Sequence, residues 1–245
     1  MVYRASHRSI VEKIAMKGWT LVFDLDGTLV DSAPDLAAAT NHVLANLGLS
    51  PVDEAEIRPF VGHGALAMIE KAAAAHGRAL NDHELHEQFE VFIAHYIEHI
   101  ADTSRPYDGV VAALSLARDR GAVLAVCTNK MESHARKLLS ALELTEHFAA
   151  ITGRDSLGVW KPDPRHLTGT IALASGDARR AIMIGDTETD IKTAKAAGTP
   201  VITVDFGYSA EPVASFSPDV IISSYADLLP AIERLTGLCG RAGRQ

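Results

Sequence analysis

Cysteine is scarce in this chain: Cys127 and Cys239 are the only two in 245 residues. Two distant thiols without metal-ligand spacing give no disulfide framework, and they fit a reducing, cytoplasmic setting. Positive charge is also short. A formal net charge of −8 argues against a broad nucleic-acid or anionic-membrane footprint. No apolar run approaches membrane-spanning length, and there are neither internal repeats nor low-complexity segments. Residues 1–17 carry Arg4, Arg8, Lys13 and Lys17 but lack the apolar core of a signal peptide. They read as a frayed extension before the first strand, with a basic amphipathic arm as the alternative. What remains is an ordinary globular composition, 47% apolar and 22% charged, long enough for one large or two smaller domains.

The chain is organised around the stretch from Leu21 to Val30, LVFDLDGTLV. Thr20 to Phe23 is a continuous apolar run, the pattern of a strand buried on both faces. Asp24 and Asp26 follow, two residues apart and so starting on one side of the chain, and Gly27-Thr28 makes a turn. Open α/β sheets bind their ligands at the carboxyl ends of strands. Two carboxylates this close need a cation, a shared proton or both, and a divalent, oxygen-loving ion such as Mg2+ suits them. Alone, the same residues could simply form an Asx-type turn that ends a strand.

From Ala33 to about Ser104 the periodicity is helical, with no convincing strand. Leu36, Thr40, Val43, Leu44 and Leu47 recur at helical spacing, and Gly48 closes the run. Further helical patterns cover Ile57 to Phe60, Ala65 to Ala75 and Asp82 to Ile100, and a glycine-flanked turn, Val61 to Gly64, opens one of them. Beyond Val110 strands and helices alternate. The strands are expected at 122–127, 149–152, 181–184, 200–204 and 220–222, with helices between them and a last helix at 226–235. That alternation implies an α/β fold with a parallel sheet covered on both faces. The domains expected are therefore a core, 18–32 with 105–245, and a helical insertion, 33–104.

Polar residues collect at the expected strand ends: Asp24 and Asp26, then Thr128 and Asn129, then Asp186 with Asp190 four residues on. Lys161 stands between the last two, in GVWKPDP. Each has an ordinary reading of its own. Thr128 could N-cap the following helix, Asp186 and Asp190 could complement a helix dipole, and Lys161 could be a solvated loop residue. Their common placement at one edge of one sheet is what argues for a site.

In order, DLDGTLVDS, CTNK, KPDP and GDTETD resemble the signature of the haloacid dehalogenase-like superfamily, over nearly the whole chain from Thr20 to Leu235. The length, the early helical insertion and the phrase RPFVGHGA are most similar to its phosphoglycolate phosphatase branch. The resemblance implies a Rossmann-like core and a mobile all-helical cap domain. Asp108, where relatives often carry proline before Gly109, is a minor departure at the cap hinge. The implied chemistry is Mg2+-dependent hydrolysis of a small phosphate monoester, with 2-phosphoglycolate the leading candidate. Asp24 would be the nucleophile and Asp26 the acid/base. Asp24, the Asp26 carbonyl and Asp186 would hold the metal. Thr128 and Lys161 would grip the phosphoryl group. Gly27, Thr28, Asn129 and Asp190 are expected around it, and Arg58 and His63 beside the cap turn could meet a substrate carboxylate. A sugar-phosphate phosphatase or phosphomutase is the enzymatic alternative, and a non-catalytic regulatory module the non-enzymatic one.

Asp26 argues against a dehalogenase, which does not need that acid/base. Lys71, the single lysine between Ala33 and Ser104, is the residue on which a phosphonatase Schiff base would depend. The cap histidines His83, His86, His95 and His99 read as surface residues, and the oxygen ligands favour Mg2+ over Zn2+. A small-molecule substrate, no nucleic acid, no membrane and a monomer or homodimer complete the expectation.

Overall fold

The computed structural model describes residues 16–237. Cys239 and residues 1–15, which hold most of the basic N-terminal segment, lie outside them. Eight strands and nine α-helices occur among the described residues. In chain order they are β1 (Thr20–Phe23), β2 (Val30–Asp31), α1 (Ala33–Asn46), α2 (Glu54–Ile57), α3 (Ala65–Ala75), α4 (Asp82–Glu98), β3 (Arg105–Pro106), α5 (Val110–Asp119) and β4 (Val123–Cys127). Then come α6 (Glu132–Ala141), β5 (Ala150–Thr152), α7 (Pro164–Leu173), β6 (Ala181–Gly185), α8 (Glu188–Ala197), β7 (Val201–Val204), β8 (Val220–Ile222) and α9 (Leu228–Thr236). None of these helices is long and apolar enough to cross a membrane.

Six strands form one parallel sheet in the order β5-β4-β1-β6-β7-β8. Strand order reverses between β1 and β6, which opens a crevice beyond their carboxyl ends. Alternate residues of each strand enter different buried clusters. Leu21, Phe23, Leu124, Val126, Ile182 and Ile184 join one with residues of α5, α6 and α9. Val22, Ala125, Cys127, Ala181 and Met183 join another with α7 and α8. Burial on both faces is why these strands read as continuous apolar runs instead of alternating ones.

Only helical elements lie between β2 and β3, as expected. Their apolar residues, Leu36, Val43, Leu44, Ile69, Phe92 and Tyr96 among them, join the same buried cluster as one sheet face. The RPFVGH phrase forms a 3-10 helix, Arg58–His63, in place of the expected α pattern; its proline sits in the first turn, where a missing N–H costs little. Gly64, at φ 90°, then opens α3. An Asn81–Glu84 capping box starts α4. Its histidines are less scattered than expected: His95 stacks on His42 at 4.2 Å and lies tilted against His99 at 4.4 Å between ring centroids.

Two short ties close the insertion at its root. Val30 and Asp31 pair antiparallel with Pro106 and Arg105, a ribbon too short for any periodicity to announce. Asp35, buried in the first turn of α1, accepts hydrogen bonds from Thr103 N (3.0 Å), Ser104 N (2.8 Å) and Ser104 Oγ (2.6 Å). Asp35→Ala strands these buried donors, so unfolding free energy should drop by about 2–3 kcal/mol in urea titrations. An unchanged midpoint would show that the carboxylate contributes nothing to the closure.

Candidate active site

Asp24 extends the sheet one residue past β1, its N–H donating to Ile184 O at 2.9 Å. The chain then turns sharply, and the carbonyl of Leu25 accepts from the N–H groups of Thr28, Leu29 and Val30. Gly27 makes this possible: its φ is +80°, and a Cβ there would collide with the Asp186 carboxylate and the Tyr208 ring. Asp186 lies just beyond β6, across the crevice from Asp24. Carboxylate oxygens of Asp24, Asp186 and Asp190 lie within 4.8 Å of one another, an arrangement that could hold a metal ion.

Lys161 neutralises part of this cluster. Its Nζ lies 2.6 Å from Asp190 Oδ1 and 2.9 Å from Asp24 Oδ1, and the residue is 3% exposed. Burial works against its charge, but Asp190 and Asp24 outweigh it and hold the ammonium well above the ordinary lysine range. Burial pushes the Asp24 carboxyl up to about 6, although Lys161 opposes it. Asp186 is also raised well above the usual carboxylate range, by burial and then by the charges of Asp190 and Asp24. The Lys161 ammonium is aligned on Asp190, so Asp24 Oδ1 is buried without a well-directed hydrogen bond despite the short ionic contact. A cation fits such an oxygen, and hard carboxylate donors favour Mg2+-like ions over softer ones.

Asp26 leaves this cluster for a separate partner. Lys130 Nζ reaches its two oxygens at 3.1 and 3.0 Å, Ser32 Oγ donates to it at 2.6 Å, and the ammonium sits 4.7 Å from the Tyr96 ring centroid. Lys130 was not singled out in the sequence, although it completes the CTNK phrase; its signal was adjacency alone. Tyr208 was missed as well, since no motif surrounds it. Its N–H donates to Asp186 Oδ2 at 2.7 Å, its hydroxyl donates to Asp31 Oδ1 at 2.7 Å, and the same oxygen accepts from Ser32 N and Ala33 N.

Asp24, Asp26, Thr128, Asn129 and Lys161 line one cavity of ≈ 210 Å³. Five expected substrate contacts, Gly27, Thr28, Asp190, Arg58 and His63, fall elsewhere. Asp190 is fully buried behind Lys161 rather than in the cavity. Its Oδ2 accepts from Asp186 N, Thr187 N and Thr187 Oγ1, so it caps α8 and orients Lys161 at once. Thr28, also fully buried, donates to Asp186 Oδ1 at 2.8 Å. Arg58 is committed to Asp31 (2.8 Å) and Glu54 (2.9 Å) and stacks over Tyr208. Neither Arg58 nor His63 is among the residues that line the cavity, whereas Gly62 and Gly64 of the same turn are. Gly27 contributes through the close approach to Asp186 already described. Thr128 does not cap α6, which begins four residues later; its hydroxyl accepts from Lys130 N at 3.1 Å. Asn129 clamps the Lys161 backbone with two hydrogen bonds, 2.9 and 3.0 Å. Lys71 is exposed and outside the cavity lining, which leaves a cap Schiff base without a residue there.

A Rossmann-like parallel sheet with carboxylates and a buried lysine at its switch point defines a class of hydrolase, and the comparisons agree. The sequence profile of the haloacid dehalogenase-like hydrolases matches residues 21–204. The chain belongs to that family. It is 52% identical over 221 residues to a phosphoglycolate phosphatase of Mesorhizobium japonicum, covering 90% of this chain and 97% of that one. A phosphoglycolate phosphatase of Agrobacterium fabrum is 45% identical over 211 residues, 86% and 91% of the two chains. In fold it resembles a predicted phosphoglycolate phosphatase of Haemophilus somnus, with a TM-score of 0.82, 30% identity and coverage of 89% and 98%.

Asp190→Asn is the sharpest test of the buried ion pair. An amide would face four donors with only one acceptor atom and would leave Lys161 leaning on Asp24 alone. Stability should fall by about 3 kcal/mol, with a downward shift of the thermal midpoint. Wild-type stability in the variant would mean that the Lys161–Asp190 pair is not an organising contact.

Proposed function

We propose that this protein is a Mg2+-dependent phosphatase that hydrolyses 2-phosphoglycolate to glycolate and phosphate through an aspartyl-phosphate on Asp24. The observation that carries the reading is Asp24 itself: a buried carboxylate at a strand end, facing a cavity, beside a lysine and a second carboxylate. Asp24 and Asp186, with the Asp26 carbonyl, would hold Mg2+, which when bound neutralises charge on the nucleophile and on the phosphoryl oxygens.

The residues then divide the work. An Asp24 oxygen attacks phosphorus, the bond to the glycolate oxygen breaks, and Asp26 gives that oxygen its proton. Water attacks the same phosphorus in the second half, passes a proton to Asp26 and releases Asp24. Thr128 and Lys161 hold the phosphoryl oxygens, mostly an electrostatic task in a site that excludes water. Asp190 keeps Lys161 in place. The helical insertion, 33–104, acts as the cap domain that closes over the leaving group. Its side of the cavity, Val61, Met68, Phe89, Phe92 and Ile93 with Tyr96 as its one side-chain hydroxyl, offers little to the several hydroxyls of a sugar, which favours a short product over a hexose.

Asp24→Asn should reduce turnover to near background, because it removes the attacking charge at almost constant size. Retention of substantial phosphatase activity would rule out the covalent route. EDTA should abolish activity and Mg2+ restore it; full activity without metal would refute the metal reading. Mg2+ binding should also depend on pH. With the Asp24 carboxyl near 6 in the metal-free protein, protons compete with the ion below that value and are displaced above it. Calorimetric Mg2+ affinity should therefore rise from pH 5 to pH 7, and the proton released on binding should diminish as the pH rises through about 6. A flat profile would remove Asp24 from the ligand set.

A further inference from the structure

The two walls of the cavity differ in charge. The insertion contributes apolar side chains, the Tyr96 hydroxyl and the glycines Gly62 and Gly64, whereas the core contributes every charged group in the lining. Three cations face the space: Lys130, Lys161 and Arg154. The first two are spent, Lys130 on Asp26 and Lys161 on Asp24 and Asp190. Arg154 has no carboxylate within ion-pair distance among the described residues, and its neighbour Asp155 is engaged with the Glu132 N–H at 2.8 Å.

Arg154 is nevertheless held. It follows β5 after a single residue, Gly153, and its own N–H donates to Lys130 O at 3.0 Å, which ties its backbone to the loop that carries the Asp26 partner. Its guanidinium carbon lies 5.3 Å from the centroid of the Trp160 ring. Trp160 is 49% exposed. Stacking on an aromatic face fixes the plane of a guanidinium and leaves its edge N–H groups free, the geometry that takes a carboxylate with two parallel hydrogen bonds. His134, from α6, lines the same cavity. Burial and then Lys130 lower its pKa, so at neutral pH it offers a neutral N–H.

We infer that Arg154, stacked on Trp160 and assisted by His134, is the subsite that binds the substrate carboxylate, so that selection for an acidic leaving group is built into the core and not into the cap. The inference rests on the carboxylated substrate proposed above. Among the three cations that line the cavity, Arg154 is the one whose charge no carboxylate of the described residues takes up.

Ethyl phosphate has the skeleton of 2-phosphoglycolate with a methyl group in place of the carboxylate, so the ratio of kcat/KM for the two substrates measures the subsite directly. In Arg154→Gln that ratio should fall on the order of 10-fold or more, the worth of a charge-assisted bidentate contact. Most of the fall should appear in KM for 2-phosphoglycolate. Arg154→Lys should recover only part of it, because an ammonium neither forks nor stacks in the same way. Trp160→Leu should give an intermediate loss. Arg154 and Trp160 are exposed, and thermal melts will show that the variants remain folded. Equal losses on both substrates, or a wild-type preference that survives intact in Arg154→Gln, would overturn the subsite and leave the N–H groups at the start of α3 as the carboxylate site. A wild-type enzyme with no preference for 2-phosphoglycolate over ethyl phosphate would instead overturn the substrate itself.

Discussion

The buried ammonium of Lys161 is the contact on which the site depends. Asp24, Asp186 and Asp190 converge within 4.8 Å, and at an effective dielectric near 20 each such pair of charges repels by about 3–4 kcal/mol. Without a cation the three could share that space only as acids. Lys161, 2.6 Å from one and 2.9 Å from another, removes one negative charge and still leaves an excess. Burial first, and that remaining charge second, make Asp24 and Asp186 hold protons more tightly than usual. The same excess is what gives the site an appetite for a divalent ion. Sheet topology supplies the convergence: adjacent parallel strands, β1 and β6, end side by side where their connections diverge.

Apart from Asp24, the charged groups of the acidic cluster and its partners are each held by neighbouring side chains or backbone. Asp190 is locked by the first turn of α8, so the capping residue of a helix is also the counter-ion of Lys161. Asn129 fixes the Lys161 backbone, Thr28 and the Tyr208 N–H fix Asp186, and Ser32 with Lys130 fixes Asp26. A site in which every first contact is itself constrained needs little reorganisation when charge shifts during phosphoryl transfer.

The sheet was legible in the sequence because burial on both faces writes unbroken apolar runs, and the six expected core strands match within a residue or two at each end. The carboxylates and Lys161 were legible because three different strand ends and one loop carried polar residues where open sheets bind ligands. Side-chain pairings were not. Nothing in the spacing says that Asp26 turns to Lys130 while Asp24 turns to Lys161, or that Arg58 spends its charge on Asp31. Asp190 shows the limit most clearly. Its position suggested either a helix cap or a site residue; the structure puts it in the capping box of α8 and against Lys161, outside the cavity. Tyr208 was invisible because its importance comes from contacts about 180 residues back along the chain, as in its bonds to Ser32 and Asp31.

Those long-range contacts also tie the insertion to the chemistry. Tyr208 donates its N–H to Asp186 and, through its hydroxyl, holds Ser32, Ala33 and Asp31 at the root of α1. Asp31 in turn holds Arg58 of the insertion, whose guanidinium lies over the same tyrosine ring at 5.3 Å. A shift of the insertion that drew Arg58 away would remove both a charge from Asp31 and a face contact from Tyr208. Because the Tyr208 backbone bonds Asp186 directly, that loss would reach a carboxylate of the acidic cluster within one residue. The placement of the insertion and the orientation of Asp186 are therefore physically linked through Tyr208, which touches both.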